Sequence, residues 1–387
     1  MSDTQLPFKV SEISSIGMEI EFQLLDRQTL KLKEGILELM EFYRSNPFVK
    51  PEFIQNTVEV ISPVCHSISE LEREMRILVT DVHQKCHSLG MAICGAGTHP
   101  FSRGMAATTP LPRYLRMEAI EGFTSHTQIT FATHIHVGMQ SGEEALRIMR
   151  GCKRFIPLLI ALSANSPFWH GHDTDYAAFR HHVLAASRSY GIPPSFQSWD
   201  EFETFIAVTT RSGIFKSIND VHWDIRPRPH LGTLEIRVMD TQPTISDAMS
   251  LAAFLQALIY HLRASEDDEV DRMMPQALHQ WIERDNRYRA AHFGIHGSIY
   301  DELFDIVLPL KDHYESTVES LAKQIRELKL EKYISHLGEK VIHTNNVDIQ
   351  RSIYFNNHSL KKVVRKLVEM LDTDICNLPC INRKQNN

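Results

Sequence analysis

Apolar residues recur at helical spacing in several stretches of the chain. Leu71, Met75, Leu78, Val79, Val82, Cys86 and Leu89 predict a helix running to Gly90, opened by a Ser69/Glu72 capping pattern. Ser141 with Glu144 opens another, carrying Ala145, Ile148 and Met149, and Pro157 is placed to kink or end it. Ser246 and Asp247 precede a third, with Leu251, Leu255, Leu258, Ile259 and Leu262 on its apolar side. From Asp301 to about Leu371 the pattern is mostly helical. Between these stretches, Met18–Phe22, Thr57–Ile61, Met91–Cys94, Thr133–Val137 and Leu234–Val238 read as short strands. Helices and strands alternate without a regular crossover pattern. This predicts an α+β protein with one central sheet and helices over one of its faces.

The strands share one design. Successive side chains in a strand point to opposite faces. In Met18–Phe22, Glu19 and Glu21 therefore share the face opposite Met18, Ile20 and Phe22. Glu59 lies opposite Val58 and Val60, and His134 and His136 lie opposite Ile135 and Val137. Glu235 and Arg237 lie opposite Leu234, Ile236 and Val238. An ordinary solvated face would mix Thr, Ser, Lys and Gln. Here the polar positions hold carboxylates and imidazoles. If the strands are neighbours, the carboxylates repel one another and need cations. Glutamates without cysteine suit Mg²⁺ or Mn²⁺, with an imidazole as an additional ligand. Arginine two residues from Glu235 suits phosphate. The residues alone thus point to a metal–nucleotide site on an antiparallel sheet.

Other segments are weaker signals. Arg226 and Arg228 lie on a proline-stiffened stretch before the Glu235 strand and read either as a rigid surface loop or as a lip for an anion. Gly95-Ala96-Gly97 follows a strand but is neither a Walker motif nor a dinucleotide fingerprint. Asp285–Ala290 reads as a helix whose charges suit a solvated face.

Composition narrows the classes. The chain has 387 residues, a formal net charge of -7 and no basic run, which disfavours nucleic acid as a partner. The apolar stretches Phe155–Leu162 and Leu251–Leu262 fall short of a membrane span, and Met1–Val10 lacks the pattern of a secretory signal. Six cysteines do not form a disulfide framework, and Cys376 and Cys380 read as a reduced pair in a tail. A cytoplasmic protein is expected. Residues 1–376 are expected to form one unit, helical from about 301, followed by a loose tail at 377–387.

The segments GMEIEFQLLD (17–26), NTVEVISP (56–63), GAGTHPF (95–101), THIHVGM (133–139), NSPFW (165–169), GIPPSF (191–196), WDIRPRPHLGTLEIRVMDTQPT (223–244) and DNRYRAAHFGIHG (285–297) carry a resemblance. Together they resemble the carboxylate–amine ligases of the glutamate–cysteine ligase type 2 family, within the glutamine synthetase superfamily. The resemblance implies a glutamine synthetase-like catalytic domain, a curved antiparallel sheet with helices on its outer face. It also implies metal ligands at Glu19, Glu21, Glu59, His134 and Glu235. His136 would neighbour the phosphates, Arg237 would hold the transferring phosphate, and Arg289 would face substrate or nucleotide. His292 and His296 depart from the family pattern, which places the substrate-end contacts in question. The implied cofactors are ATP and Mg²⁺ or Mn²⁺, and the implied partners are small carboxylate and amine substrates. A homo-oligomer is left open. Two alternatives stand beside this reading: a metal-dependent hydrolase built on His134 and His136, and a non-catalytic relative that keeps the sheet.

Overall fold

The computed structural model describes residues 6–265, 279–302 and 304–376. Seven strands form its main sheet: β1 (Ile16–Asp26), β2 (Val49–Pro51), β3 (Thr57–Ile61), β4 (Met91–Cys94), β5 (Ala132–Gly138), β6 (Ile225–Arg228) and β7 (Thr233–Asp240). Their order is β6-β7-β5-β1-β3-β2, and β4 pairs with Gln23–Asp26 of β1. Every pairing in this sheet is antiparallel. The predicted strands are all present, and β1 and β7 run beyond the expected bounds. The strands β2 and β6 were not foreseen: the three residues of β2 carry too little alternation to register, and β6 read as a proline-stiffened loop.

The apolar face of the sheet makes the core. Met18, Ile20, Phe22, Val58, Val60, Ile135, Val137, Leu234 and Ile236 are all buried in one cluster with the helices Ile68–Ser88, Gly142–Lys153, Ile156–Ser163 and Ile245–Ala264. The last of these is 20 residues long and apolar enough to cross a membrane by composition alone. Of its most apolar window, 83% is packed inside the protein, so its hydrophobicity is already spent on the core.

Two helix starts differ from the expectation. The first is capped by Ser67, which accepts from the Glu70 N–H, while the Glu70 carboxylate accepts from His66 N–H. Glu72 is instead held by Arg76, Lys332 and Tyr333, so it is not available to close a box with Ser69. The third begins at Thr244, which accepts from Asp247 N–H. Asp247 then pairs with His336 and Lys340, and Asp374 accepts from Ile245 N–H and is gripped by Arg76. These contacts tie the C-terminal helix Leu360–Cys376 to the core helices. Ser141 caps the second helix as expected, and Pro157 sits in the first turn of the helix that follows it. The helical run begins at Leu310 rather than 301, because Ser298–Asp301 and Ile306–Pro309 form a hairpin. Cys380 and residues 377–387 lie outside the described residues; Cys376 is a free, exposed thiol.

The Gly95/Gly97 pair has a packing role. An added Cβ on Gly95 would lie 2.0 Å from the Gln242 carbonyl oxygen, and one on Gly97 2.4 Å from the Asp240 carboxyl carbon. The close approach lets Asn165 bridge the Gly95 and Thr241 carbonyls while Asp240 accepts from Asn165 N–H and the Ser166 hydroxyl. This buried network pins the end of β7 beneath the sheet's polar face. Gly95→Ala therefore forces backbone apart and should cost about 1–3 kcal/mol of stability. A denaturant midpoint unchanged from wild type would contradict the close approach.

Candidate active site

The register brings the polar positions together. Glu19 lies directly opposite His134, Glu21 opposite Glu59, His136 opposite Glu235, and Glu235 opposite Arg226. A register slip between Ile236 and Met239 marks a bulge in β7, yet the Arg237 head still reaches the Glu235 carboxylate, in a close ion pair. The polar face forms the floor of a cavity of about 590 Å³ that Glu19, Glu21, Glu59, His134, Arg226, Arg228 and Arg237 help to line.

His134 stands at the centre. Its Nδ1 is 3.2 Å from Glu19 Oε2 and 3.9 Å from Glu235 Oε1, and its Nε2 is 3.8 Å from Glu21 Oε1. His136 Nε2 is 3.3 Å from Glu19 Oε1, and its Nδ1 is 3.0 Å from Thr233 Oγ1. Both Nε2 atoms are buried and, among the described residues, lack a hydrogen-bond partner of suitable geometry. Two groups have ligand atoms close enough to share an ion: Glu19, His134 and Glu235, and Glu21, Glu59 and His134. The donor set of carboxylate oxygens with one imidazole suits a hard divalent ion.

The charge is compensated unevenly. Glu235 is 1% exposed and is held by Arg226 Nε at 2.7 Å as well as by Arg237. Burial would raise its carboxyl, but Arg226, Arg237 and His136 together hold it well below the usual range. Glu19 is likewise held low against burial, by His136 and His134. At the other end the balance reverses. Burial, aggravated by Glu52, pushes Glu21 up to about 8 even though Arg180 and Arg237 oppose it. Glu59 is pushed well up by burial and by Glu19, Glu52 and Glu21. Burial also holds His134 down at about 4, with Arg237 adding to it, so its ring is neutral at neutral pH.

Several expected contacts fall elsewhere. Arg226 is not a free lip: its head is spent on Glu235 and the Val221 carbonyl. Arg228 does reach the cavity, 3.6 Å from Glu235 Oε2. Arg289 is not brought to the site. It is on the exposed side of the helix His279–Phe293, 2.5 Å from Asp285, whereas Arg287, two residues earlier, faces inward and forks onto Asp224. His296 pairs with Asp348 on the surface, and His292 packs against Tyr176. Conversely, Glu52, Arg113, Arg180, Tyr190 and His222 line the cavity without having been picked out. Tyr190 and His222 come from two-residue strands, Arg113 and Arg180 from helix starts, and Glu52 from the chain just after β2, where alternation gives no signal.

This fold recurs among solved structures. The chain superposes with a TM-score of 0.65 on a bifunctional glutathione synthetase from Pasteurella multocida, at 13% identity, over 93% of this chain and 52% of that one. It thus spans about half of that larger protein. A glutamate–cysteine ligase from Francisella tularensis in complex with AMP gives a TM-score of 0.64 at 14% identity, over 95% and 92%. Residues 15–356 match Glutamate-cysteine ligase family 2 (GCS2), and the chain belongs to that family. Proteins provisionally named glutamate–cysteine ligase 2 are 39% identical in Trichormus variabilis, over 96% of each chain, and 33% identical in Gloeobacter violaceus, over 95% of this chain and 100% of that one.

The carboxylate imbalance predicts a pH effect. Glu21, Glu52 and Glu59 hold protons more tightly folded than unfolded. Their contribution to stability is present at low pH and is lost as pH rises through the folded values, about 8 for Glu21. Chelator-treated protein should therefore melt lower at about pH 9 than at about pH 6.5, and Mg²⁺ should raise the melting temperature more at the higher pH. Glu21→Gln should flatten the metal-free slope. A slope unchanged in that variant would remove Glu21 from the cause.

Proposed function

We propose that this chain is an ATP-dependent ligase that joins a carboxylate to an amine through an acyl phosphate. The observation that carries the reading is the juxtaposition, on one sheet face, of under-compensated carboxylates (Glu21, Glu59) with the arginine-bound Glu235. A cation site beside an anion site is what a metal–nucleotide complex requires. Glu19, His134 and Glu235 would hold one divalent ion, and Glu21 and Glu59 with His134 a second, with Glu52 close by. When bound, Mg²⁺ or Mn²⁺ would supply positive charge that offsets the repulsion between phosphates and an anionic nucleophile.

In this reading a substrate carboxylate oxygen attacks the γ-phosphorus and the bond to ADP breaks. The amine nitrogen then attacks the acyl carbon, and phosphate leaves with the bonding pair. Arg237 and Arg228 orient the transferring group from the Glu235 side of the cavity. His136, fixed by Thr233, lies beside the phosphates. Glutamate and cysteine, named in the relatives, are the first substrates to try. We also read residues 1–376 as one unit, a reading supported by the grip of Arg76 on Asp374.

The direct test is a screen of amino acids, singly and in pairs, for ADP release with Mg²⁺ and ATP. A thermal-shift series with Mg²⁺ and ATP, separately and together, separates the alternatives. A hydrolase built on His134 and His136 predicts no nucleotide effect, and a dead scaffold predicts none from either.

Two substitutions follow. Glu235→Gln keeps the shape but removes the charge that an ion and two arginines share, and should abolish ADP formation; turnover at the wild-type rate would exclude Glu235 from the metal site. Arg237→Lys keeps the charge but loses the planar head that can span carboxylate and phosphate together. It should lower turnover by about 10²–10³ while weakening ATP binding less. If Arg237 serves only to pair with Glu235, the variant melts earlier but turns over within about threefold of wild type at low temperature.

A further inference from the structure

The ligase reading leaves one chemical need unmet, since the attacking amine must lose a proton. The carboxylates on the floor are poor candidates. A proton on Glu21, Glu52 or Glu59 competes with the cations those groups suit, and Glu235 is committed to arginines. Asp220 spends its carboxylate on the Lys216 and Ser217 N–H groups. His134 and His136 are enclosed by Glu19 and Glu235.

His222 is different. It lines the cavity from the two-residue strand His222–Trp223 just before Arg226. Its ring is fixed from two directions. Tyr190 stacks on it, with centroids 5.2 Å apart and planes 16° from parallel. Its Nδ1 lies 3.2 Å from Ser189 Oγ, which is itself 3.3 Å from Ser187 Oγ. The backbone repeats the clamp, because His222 N–H donates to the Ser189 carbonyl and Tyr190 pairs with His222 in a short parallel ladder. Nε2 has no protein partner among the described residues. Burial, reinforced by Arg226 and Arg237, holds the ring well below the ordinary imidazole range, so it is neutral at neutral pH, and anionic substrate groups that offset those arginines raise its basicity in the complex.

We propose that His222 is the base that takes the proton of the attacking amine, with Ser189 as the residue that positions it. This rests on the ligase reading. Nδ1–H donates to Ser189, which leaves the Nε2 lone pair facing the cavity. As the amine nitrogen bonds to the acyl carbon, its N–H becomes strongly acidic and the proton passes to Nε2. The carbon–oxygen bond to phosphate breaks, and phosphate departs with that pair. The logic is that of a base oriented by a third group.

The test separates the two half-reactions. Hydroxylamine attacks acyl phosphates unaided, so it reports activation without the base. With ATP, Mg²⁺ and a mixture of the protein amino acids, hydroxamate and amide are measured for wild type and His222→Gln. The variant should keep hydroxamate formation within about threefold and lose amide formation by about 10²–10⁴. Ser189→Ala, a smaller change to the same clamp, should lose amide formation by about tenfold and spare hydroxamate. Equal loss of both products in a variant that melts like wild type, or retention of both, overturns the base. Wild type that forms hydroxamate and no amide also overturns it. Wild type that forms neither overturns the ligase reading itself, and the base falls with it.

Discussion

Carboxylates forced onto one face of a sheet set the terms for the rest of the molecule. Glu21 and Glu59 are directly opposed across β1 and β3, a pairing that like charges make unfavourable. Glu19 and Glu52 lie close enough to add to it. Burial makes the repulsion worse, since the surroundings screen less than water. The fold tolerates this only because the opposite face supplies a large apolar core and because one end of the cluster is neutralised. Arg226 and Arg237 converge on Glu235, and two imidazoles flank Glu19. The other end is left to protons or to cations from solution.

Holding such a face in register needs rigid support. The sheet alone does not fix where Arg237 points, because β7 bulges just there. The correction comes from below. Arg237 N–H donates to the Asp224 carbonyl, and Asp224 is forked by Arg287 from a helix more than sixty residues away in sequence. Past the bulge, Asp240 anchors the strand through Asn165 and Ser166, and Gly95 and Gly97 allow that contact. Motifs that carry no reactive group thereby set the position of those that do.

This explains what could be read from the sequence. Glu19, Glu21, Glu59, His134, Glu235 and Arg237 stand in strands with clean alternation, so the shared face was visible before any pairing was known. The pairing itself was not, because adjacency depends on contacts distant in sequence. Glu52 was missed since it lies just past the three-residue β2, and His222 since its strand has two residues. Arg289 was picked out and lies exposed beside Asp285, whereas Arg287 faces inward onto Asp224: both lie in one helical turn, and resemblance gives no account of which side of the helix faces inward. The caps at Ser67 and Thr244 slipped by about two residues because Glu72 and Asp247 answer to distant partners.

The uneven compensation also bears on which chemistry the site can run. A hydrolytic site needs an ion and a water, and arginines crowding a ligand carboxylate would only weaken its hold on the ion. Glu235 is crowded in this way, with Arg228 as a third neighbour at 3.6 Å. The arrangement makes sense if something anionic arrives between them. Among the described residues, Arg180, Arg228 and Arg237 each retain a buried Nε–H with no partner, a cost that a protein keeps when another gain outweighs it. Under the proposed ligase reading, an arriving phosphate would share the guanidinium donors with Glu235 and free carboxylate oxygen for a cation at the same moment. Cation and anion would then favour each other's binding, each relieving the charge that the other aggravates. Such a site would hold the pair more tightly than either alone, which suits a reaction whose first step needs nucleotide and metal together.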